Sequence, residues 1–394
     1  MTAFSGARPD QRLESVGGQR FDGVVLLLVG MLMTVGAVMV YSASLTVQGG
    51  QLDWRHWSNT PLRQSIFALV GFFVMVYVAH LDHRLWAWEK RGDGWWPGTL
   101  FILATVLLIA MLIPGVGASR LGARRALVLL SSPISLSFQP AELAKVVLVV
   151  WLAALLTRPG FDPRSLRRGF APAACSAGLL IMLTGVEDFG TAALMGIVTV
   201  ALLVLARCRW SHLVGTGLFG LAVGAGLLFL KPHRWQRVVV WLSEEPDPAG
   251  AGYQVTQSLI SIASGGWWGR GLGAGIQKYG YLPQDNNDFI FAIVCEELGV
   301  VGGMAVIALF LLLLWRGWRV SRHALDPFGR LLAAGITLLL CLQAAFNVGV
   351  VTNSVPTKGI SLPFVSAGGS GVLFLGVAAG LLAAVGGARR TQAP

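Results

Sequence analysis

Ten apolar runs occupy most of this chain, at 24–44, 64–80, 98–114, 141–157, 170–186, 189–206, 213–230, 288–315, 331–351 and 364–387. Each approaches the ~20 residues that a helix needs to cross the ~30 Å hydrocarbon layer of a bilayer. Inside hydrocarbon no water satisfies the backbone, so a run of this kind closes its hydrogen bonds within a helix. The expected fold is therefore an all-α polytopic membrane protein of ten transmembrane helices. Composition agrees: 12% of the 394 residues are charged and 55% are hydrophobic, where soluble domains carry about 25% charged residues. The shorter runs are expected to tilt, or to pack inside the bundle away from lipid. The first run is too long for a signal-peptide core and lacks a small-residue cleavage site, so it reads as an uncleaved span.

Charge supplies the orientation. The net charge is +11, which in a soluble protein would suggest nucleic acid. With the N-terminus in the cytoplasm, eighteen of the 30 Lys and Arg fall on inside segments, as the positive-inside rule requires. Both termini are then cytoplasmic. The chain divides into a tail at 1–23, a membrane domain at 24–387 and a tail at 388–394, with a large extracytoplasmic loop at 231–287 between the seventh and eighth spans. Arg120, Arg124, Arg125, Lys231, Arg234, Arg237, Arg270, Lys278 and Lys358 lie outside, where topology does not demand them. As a set they suggest an anionic ligand at the outer face.

Several classes find no support. The sequence carries no Walker loop, no dinucleotide fingerprint and no zinc spacing, and Gly269–Gly273 does not stand between a strand and a helix. Cys175, Cys208, Cys295 and Cys341 lie in or beside apolar runs, with neither metal nor disulfide spacing. No internal repeat of the transporter kind is evident.

The longest polar interruption is the stretch from Tyr253 to Gly303. Asp288 stands in it at the start of the eighth span. It reads as a helix N-cap, as a general base at the membrane surface, or as both, because a helix start fixes a carboxylate's direction. Glu296 and Glu297 lie about 12 Å deeper. Acids within a span seldom face lipid, so they are expected to pair with basic groups or amides as structural support. Lys278 to Pro283 positions substrate or the loop itself. Glu142 and Lys145 share a helix face and form either a bundle-stabilising ion pair or a ligand site beside a cavity. Glu187 and Asp188 close the outer end between the fifth and sixth spans. Lys358 sits among Pro356, Gly359 and Pro363, where broken backbone is tolerated only if buried in protein or lining a cavity. It reads as a diphosphate or sugar ligand.

These segments in order resemble the SEDS family of polytopic peptidoglycan glycosyltransferases, which includes FtsW, RodA and SpoVE. The resemblance runs through Tyr41–Ser44, Arg63-Gln64, Gly122–Arg125, Phe138–Lys145, Asp188–Thr191, Tyr253–Glu297 and Pro356–Ser370. The form of Pro356–Gly359 is closer to FtsW and SpoVE than to RodA. Asn286-Asn287 and Ala367 depart from the family pattern. The resemblance implies that Asp288 matches the family's essential aspartate, and that Arg63, Glu142, Lys145, Asp188 and Lys358 surround a central cavity. It implies an inverting, processive polymerase of lipid II that extends a glycan carried on undecaprenyl diphosphate, for cell division. Asp288 is the base, cationic residues offset the leaving diphosphate, and a divalent cation (Mg or Mn) is an optional assistant, with no protein metal site assigned. The implied partners are the lipid substrates, membrane lipids and a class B penicillin-binding transpeptidase, and no nucleic acid. Two other readings compete. A flippase for lipid-linked precursor would use the same buried charges, and a scaffold for a penicillin-binding protein would not need Asp288.

Overall fold

The computed structural model describes residues 21–44, 61–88, 95–113, 117–120, 123–130, 136–229, 232–243, 252–277 and 288–388. Among them, a helix overlies each of the ten apolar runs, the last starting five residues later than expected, at Gly369, after an irregular stretch. These are α1 (Gly23–Ser44), α2 (Pro61–Ala79), α3 (Trp95–Leu112), α4 (Pro140–Leu156), α5 (Ala171–Glu187), α6 (Phe189–Leu205), α7 (Trp210–Phe229), α10 (Ile290–Arg322), α11 (Pro327–Val351) and α12 (Gly369–Ala388). Two more, α8 (Pro232–Leu242) and α9 (Tyr253–Gly265), lie in the segment between the seventh and eighth runs that was expected to be loop. Six helices among the described residues are long and apolar enough to cross a membrane, and three shorter apolar ones accompany them. Several helices start where the sequence dictates. Asp326 caps α11 through the Gly329 N–H at 2.7 Å, and proline occupies the first turn of α4 and α11, where its missing N–H costs nothing.

The all-α expectation needs one correction. Between α3 and α4, β1 (Gly117–Arg120), β2 (Ala123–Leu130) and β3 (Leu136–Phe138) pair as an antiparallel sheet in the order β1-β2-β3. Leu127 stands opposite Gly117 on one side and Phe138 on the other. The strands are too short to span, and their cross-pairing satisfies the backbone.

A second correction concerns α10, expected as one uninterrupted span. Gly299 breaks it with φ 73° and ψ −177°, and the loop after α9 fills the gap. Arg270 N–H donates to the Glu296 carbonyl and Gly271 N–H to that of Glu297, both at 3.0 Å. In return Val300 and Val301 donate to the carbonyls of Gly266 and Trp267, at 2.9 and 3.2 Å. The loop thus supplies the backbone partners that the helix forfeits at its break. Only glycine fits at 299, because a Cβ there would lie 2.3 Å from the Trp267 carbonyl oxygen.

Small residues bring the remaining helices close. Gly376 and Gly380 of α12 rest against the Gly71 and Met75 carbonyls of α2, the close approach by which helices associate without a hydrophobic driving force. At the end of the bundle opposite the Asp288 end, buried Asp22 caps α1 and takes Arg316 in a two-pronged pair, Nη2–Oδ2 at 2.6 Å and Nε–Oδ1 at 3.2 Å. His83 meets Asp326 at 2.9 Å, with Arg84 at 3.6 Å. Burial opposes the Asp326 charge, but His83, the Gly329 N–H and Arg84 outweigh it and hold the carboxyl at about 2.

Candidate active site

Lys145 is 1% exposed and therefore needs partners, since an unpaired buried ammonium is strongly unfavourable. It finds Glu142 Oε1 one turn back on α4 at 2.9 Å and Gln343 Oε1 of α11 at 2.7 Å. The Gln343 amide then donates to the Ser361 carbonyl at 2.9 Å. One turn along α11, fully buried Asn347 donates at 2.8 Å to two carbonyls, those of Ile360 and Asp288. This ladder joins the charged pair of α4 to the irregular segment between α11 and α12, and that segment to Asp288.

The same irregular segment receives α6 and α8. Gly190 lets α6 abut Lys358 and Ile360, since a Cβ there would meet the Lys358 Cβ at 3.3 Å. Asp188 caps α6 by accepting from the N–H and hydroxyl of Thr191 at 3.1 and 3.0 Å, and it lies within electrostatic reach of Lys358. The Lys358 ammonium sits over the rings of Phe189 and Phe346, at 5.4 and 5.7 Å from their centroids, a favourable cation–π arrangement. From α8, Arg237 donates to the Thr357 carbonyl at 3.3 Å and Trp241 to that of Asn353 at 3.0 Å. Arg234 donates to the Val186 carbonyl at 2.7 Å. The amphipathic α8 is thereby laid across the site-bearing end.

Arg63 opens α2 with its guanidinium 5.6 Å from the Phe67 ring centroid. Its neighbour Gln64 donates to the Ser366 carbonyl and accepts from the Gly368 N–H, both at 3.2 Å. Gly371 of α12 faces Glu142, 3.4 Å from its Oε2 to a Cβ built there. The start of α12 therefore meets that of α4 at Glu142, and the stretch just before α12 meets α2 at Gln64.

Of the readings open for Asp288, the helix N-cap is not the one the structure shows. Phe289 holds the N-cap position of α10, without a side-chain cap, and Asp288 is the half-buried residue before it. Its main chain is fixed by Asn347 instead. Glu296 and Glu297 are buried and face the loop after α9. Glu296 accepts from the N–H of Ile276 at 2.8 Å and from Ser261 at 3.3 Å. Glu297 accepts from Ser42 and from the Gly273 N–H. These partners are backbone amides and hydroxyls. Lys278 lies outside the described residues, as do Asn286 and Asn287. Gln343 and Asn347 were missed in the sequence, although amides four apart in an otherwise apolar run share one face. Among the described residues no three His, Cys, Asp or Glu side chains gather into a metal site.

A polytopic bundle with a buried charged pair, a broken segment carrying a lysine, and an aspartate anchored beside them defines an integral membrane protein with a polar site at one end. The comparisons with known proteins sharpen that class. A family model covering FtsW, RodA and SpoVE, described as cell cycle protein, matches residues 23–391. The chain belongs to this family, the SEDS proteins, and its curated relatives are FtsW-like. It is 37% identical over 364 residues to stage V sporulation protein E of Bacillus subtilis, covering 92% of this chain and 95% of the relative. The probable peptidoglycan glycosyltransferase FtsW of Geobacter sp. (strain M18) is also 37% identical, over the same shares. A chain from a study of how a peptidoglycan synthase complex coordinates polymerization and crosslinking superposes with TM-score 0.71 at 27% identity, covering 95% and 99% of the two chains. The rod shape determining protein RodA of Thermus thermophilus, at 24% identity and TM-score 0.65, shares the fold over 94% and 97%. The protein is integral to the bacterial plasma (inner) membrane.

Proposed function

We propose that this chain is a peptidoglycan glycosyltransferase that polymerises lipid II at the outer face of the membrane, with Asp288 as general base. The ten helices over the apolar runs are its transmembrane spans, both termini are cytoplasmic, and the end bearing Asp288, Asp188 and Lys358 faces outward. The observation that carries this reading is the double grip of Asn347. One buried amide holds the main chain of Asp288 and that of Ile360, two residues from Lys358, so that base and cation belong to one rigid unit.

In the reaction, the Asp288 carboxylate accepts the proton of the 4-hydroxyl on the GlcNAc of lipid II. That oxygen forms its bond to C1 of the terminal MurNAc of the growing strand. The bond from C1 to the undecaprenyl diphosphate breaks, and the diphosphate leaves with the electron pair, inverting the configuration. A sugar hydroxyl is a poor nucleophile without a nearby base, whose help is typically about 10²–10⁴-fold. Lys358 and Arg63 offset charge developing on the diphosphate. Lys145, already engaged by Glu142 and Gln343, positions the irregular segment. No step is assigned to a metal ion. The resemblance of Pro356–Gly359 to FtsW supports a role in division, and the likeness to a chain of a peptidoglycan synthase complex supports a class B penicillin-binding protein as partner.

The test is a lipid II polymerisation assay on purified wild type and Asp288→Asn. The variant should fold and bind lipid II yet form no polymer; polymer at near-normal rate would remove Asp288 from the mechanism. Translocation of lipid II in sealed vesicles without polymer would instead favour a flippase.

A further inference from the structure

At the end of the bundle opposite Asp288, a cavity of about 570 Å³ opens where α6 passes into α7. It is lined by Arg164, Arg207 and Arg209 together with Val204, Trp210 and Leu213. None of the three guanidiniums makes an ion pair or hydrogen bond among the described residues. The neighbouring acid, Asp162, accepts from the backbone N–H of Arg164.

Topological bias alone would be met by positive charge anywhere on these connections. Here the three arginines converge on one cavity, and one of them is held in a conformation arginine disfavours. Arg207 has φ 60°, at the position after the α6 cap. Its N–H donates to the Val204 carbonyl at 2.9 Å, and the Cys208 N–H to that of Leu203 at 3.1 Å. This is the helix-ending motif whose left-handed residue is usually glycine. Arginine at such a place directs a guanidinium donor array, suited to phosphate oxygens, to the cavity.

Val204 and Trp210 form the exposed apolar rim of the lining, while Leu213 closes it from the buried side. Trp210 is 70% exposed, and above it the outer surfaces of α6 and α7 present Val200, Val214, Leu218 and Phe219. A ligand that fills the cavity thus meets cations at its head and open hydrocarbon-facing helix along its tail. We infer that this cavity binds the phosphodiester headgroup of an anionic phospholipid from the adjacent leaflet, its acyl chains lying along α6 and α7. Free phosphate shares the headgroup chemistry but would leave the apolar wall unused.

The experiment follows thermal unfolding of the full chain in uncharged detergent, titrated with phosphatidylglycerol, phosphatidylcholine or inorganic phosphate. Phosphatidylglycerol should raise the midpoint saturably, and the other two should not. Arg207→Gly suits the backbone at least as well as arginine, so its midpoint without added phosphatidylglycerol should be unchanged or higher. Its half-saturation by phosphatidylglycerol should nonetheless weaken roughly tenfold, the effect of losing one hydrogen bond to a charged group. Arg209→Gln should weaken binding in the same sense. Full retention of the phosphatidylglycerol effect in the R207G/R209Q double variant overturns the inference, as does equal stabilisation by phosphate or phosphatidylcholine.

Discussion

Asn347 and Asp288, fifty-nine positions apart in the chain, are joined by a 2.8 Å hydrogen bond from the asparagine amide to the aspartate's main-chain carbonyl. The bond is made through the aspartate's main chain. Replacing Asn347 by alanine would leave two carbonyls without their donor, those of Asp288 and Ile360. We expect a loss of about 1–3 kcal/mol in stability and a larger proportional fall in polymerisation than in lipid II binding. Thermal unfolding beside a polymerisation assay checks this, and unchanged values in both would remove the anchor.

The pair on α4 makes a different prediction. Lys145→Met leaves Glu142 charged and buried, and Glu142→Leu does the same to Lys145. Each single change should destabilise by ~3–5 kcal/mol, the usual consequence of stranding one buried charge. The double variant should recover much of that loss, because the uncompensated charge is gone. A double-mutant cycle read by thermal unfolding decides it. Additive losses would mean that the two groups are not coupled.

Gly299→Ala tests the splice in α10. Its backbone lies in a region essentially confined to glycine, and the new Cβ would meet the Trp267 carbonyl. We expect a loss of about 1–3 kcal/mol from backbone strain, together with faster amide hydrogen exchange at Val300 and Val301. Gly196→Ala in α6, where an added Cβ meets nothing within 4 Å, is the control and should be neutral or slightly stabilising. Unaltered exchange at the two valines in Gly299→Ala would show that the loop does not complete the ladder.

Asp326 gives the pH dependence. Its carboxyl is held at about 2 in the folded protein, against ~3.9 in an unfolded chain. A depressed carboxylate stabilises the fold above the unfolded value, and the contribution is lost as pH falls from about 4 through about 2. Asp326→Asn should therefore cost on the order of 2 kcal/mol at neutral pH. It should also flatten the decline in stability between about pH 4 and pH 2. A parallel decline in both proteins would mean that other groups govern acid unfolding.

Much of the architecture was legible because hydrocarbon allows an apolar run one backbone solution. Helix ends fell within a few residues of the expected ones for α1 through α7. The sheet at Gly117–Phe138 was not legible, since its stability comes from pairing between short strands and periodicity does not report pairing. The break at Gly299 was hidden because its partners sit some thirty residues earlier, and a glycine in an apolar run has many uses. At the site, Glu142, Lys145, Asp188 and Lys358 stood out as charges in unfavourable surroundings. Gln343 and Asn347, uncharged, drew no such notice, yet they connect the rest. The capping alternative for Asp288 fails by one residue, with Phe289 in that place.

The loop that completes α10 is translated before the helix it completes. When Ile290–Arg322 leaves the ribosome, residues 266–271 already exist on the N-terminal side of it. A half-made α10 entering lipid alone would carry four bare peptide groups at its break. Membrane insertion of this region is therefore a two-part assembly, in which the earlier segment waits for the later one. A change at Gly266, Gly269 or Gly271 should then surface first as a defect in biogenesis, with slow maturation and quality-control turnover, in molecules whose catalytic residues are all intact.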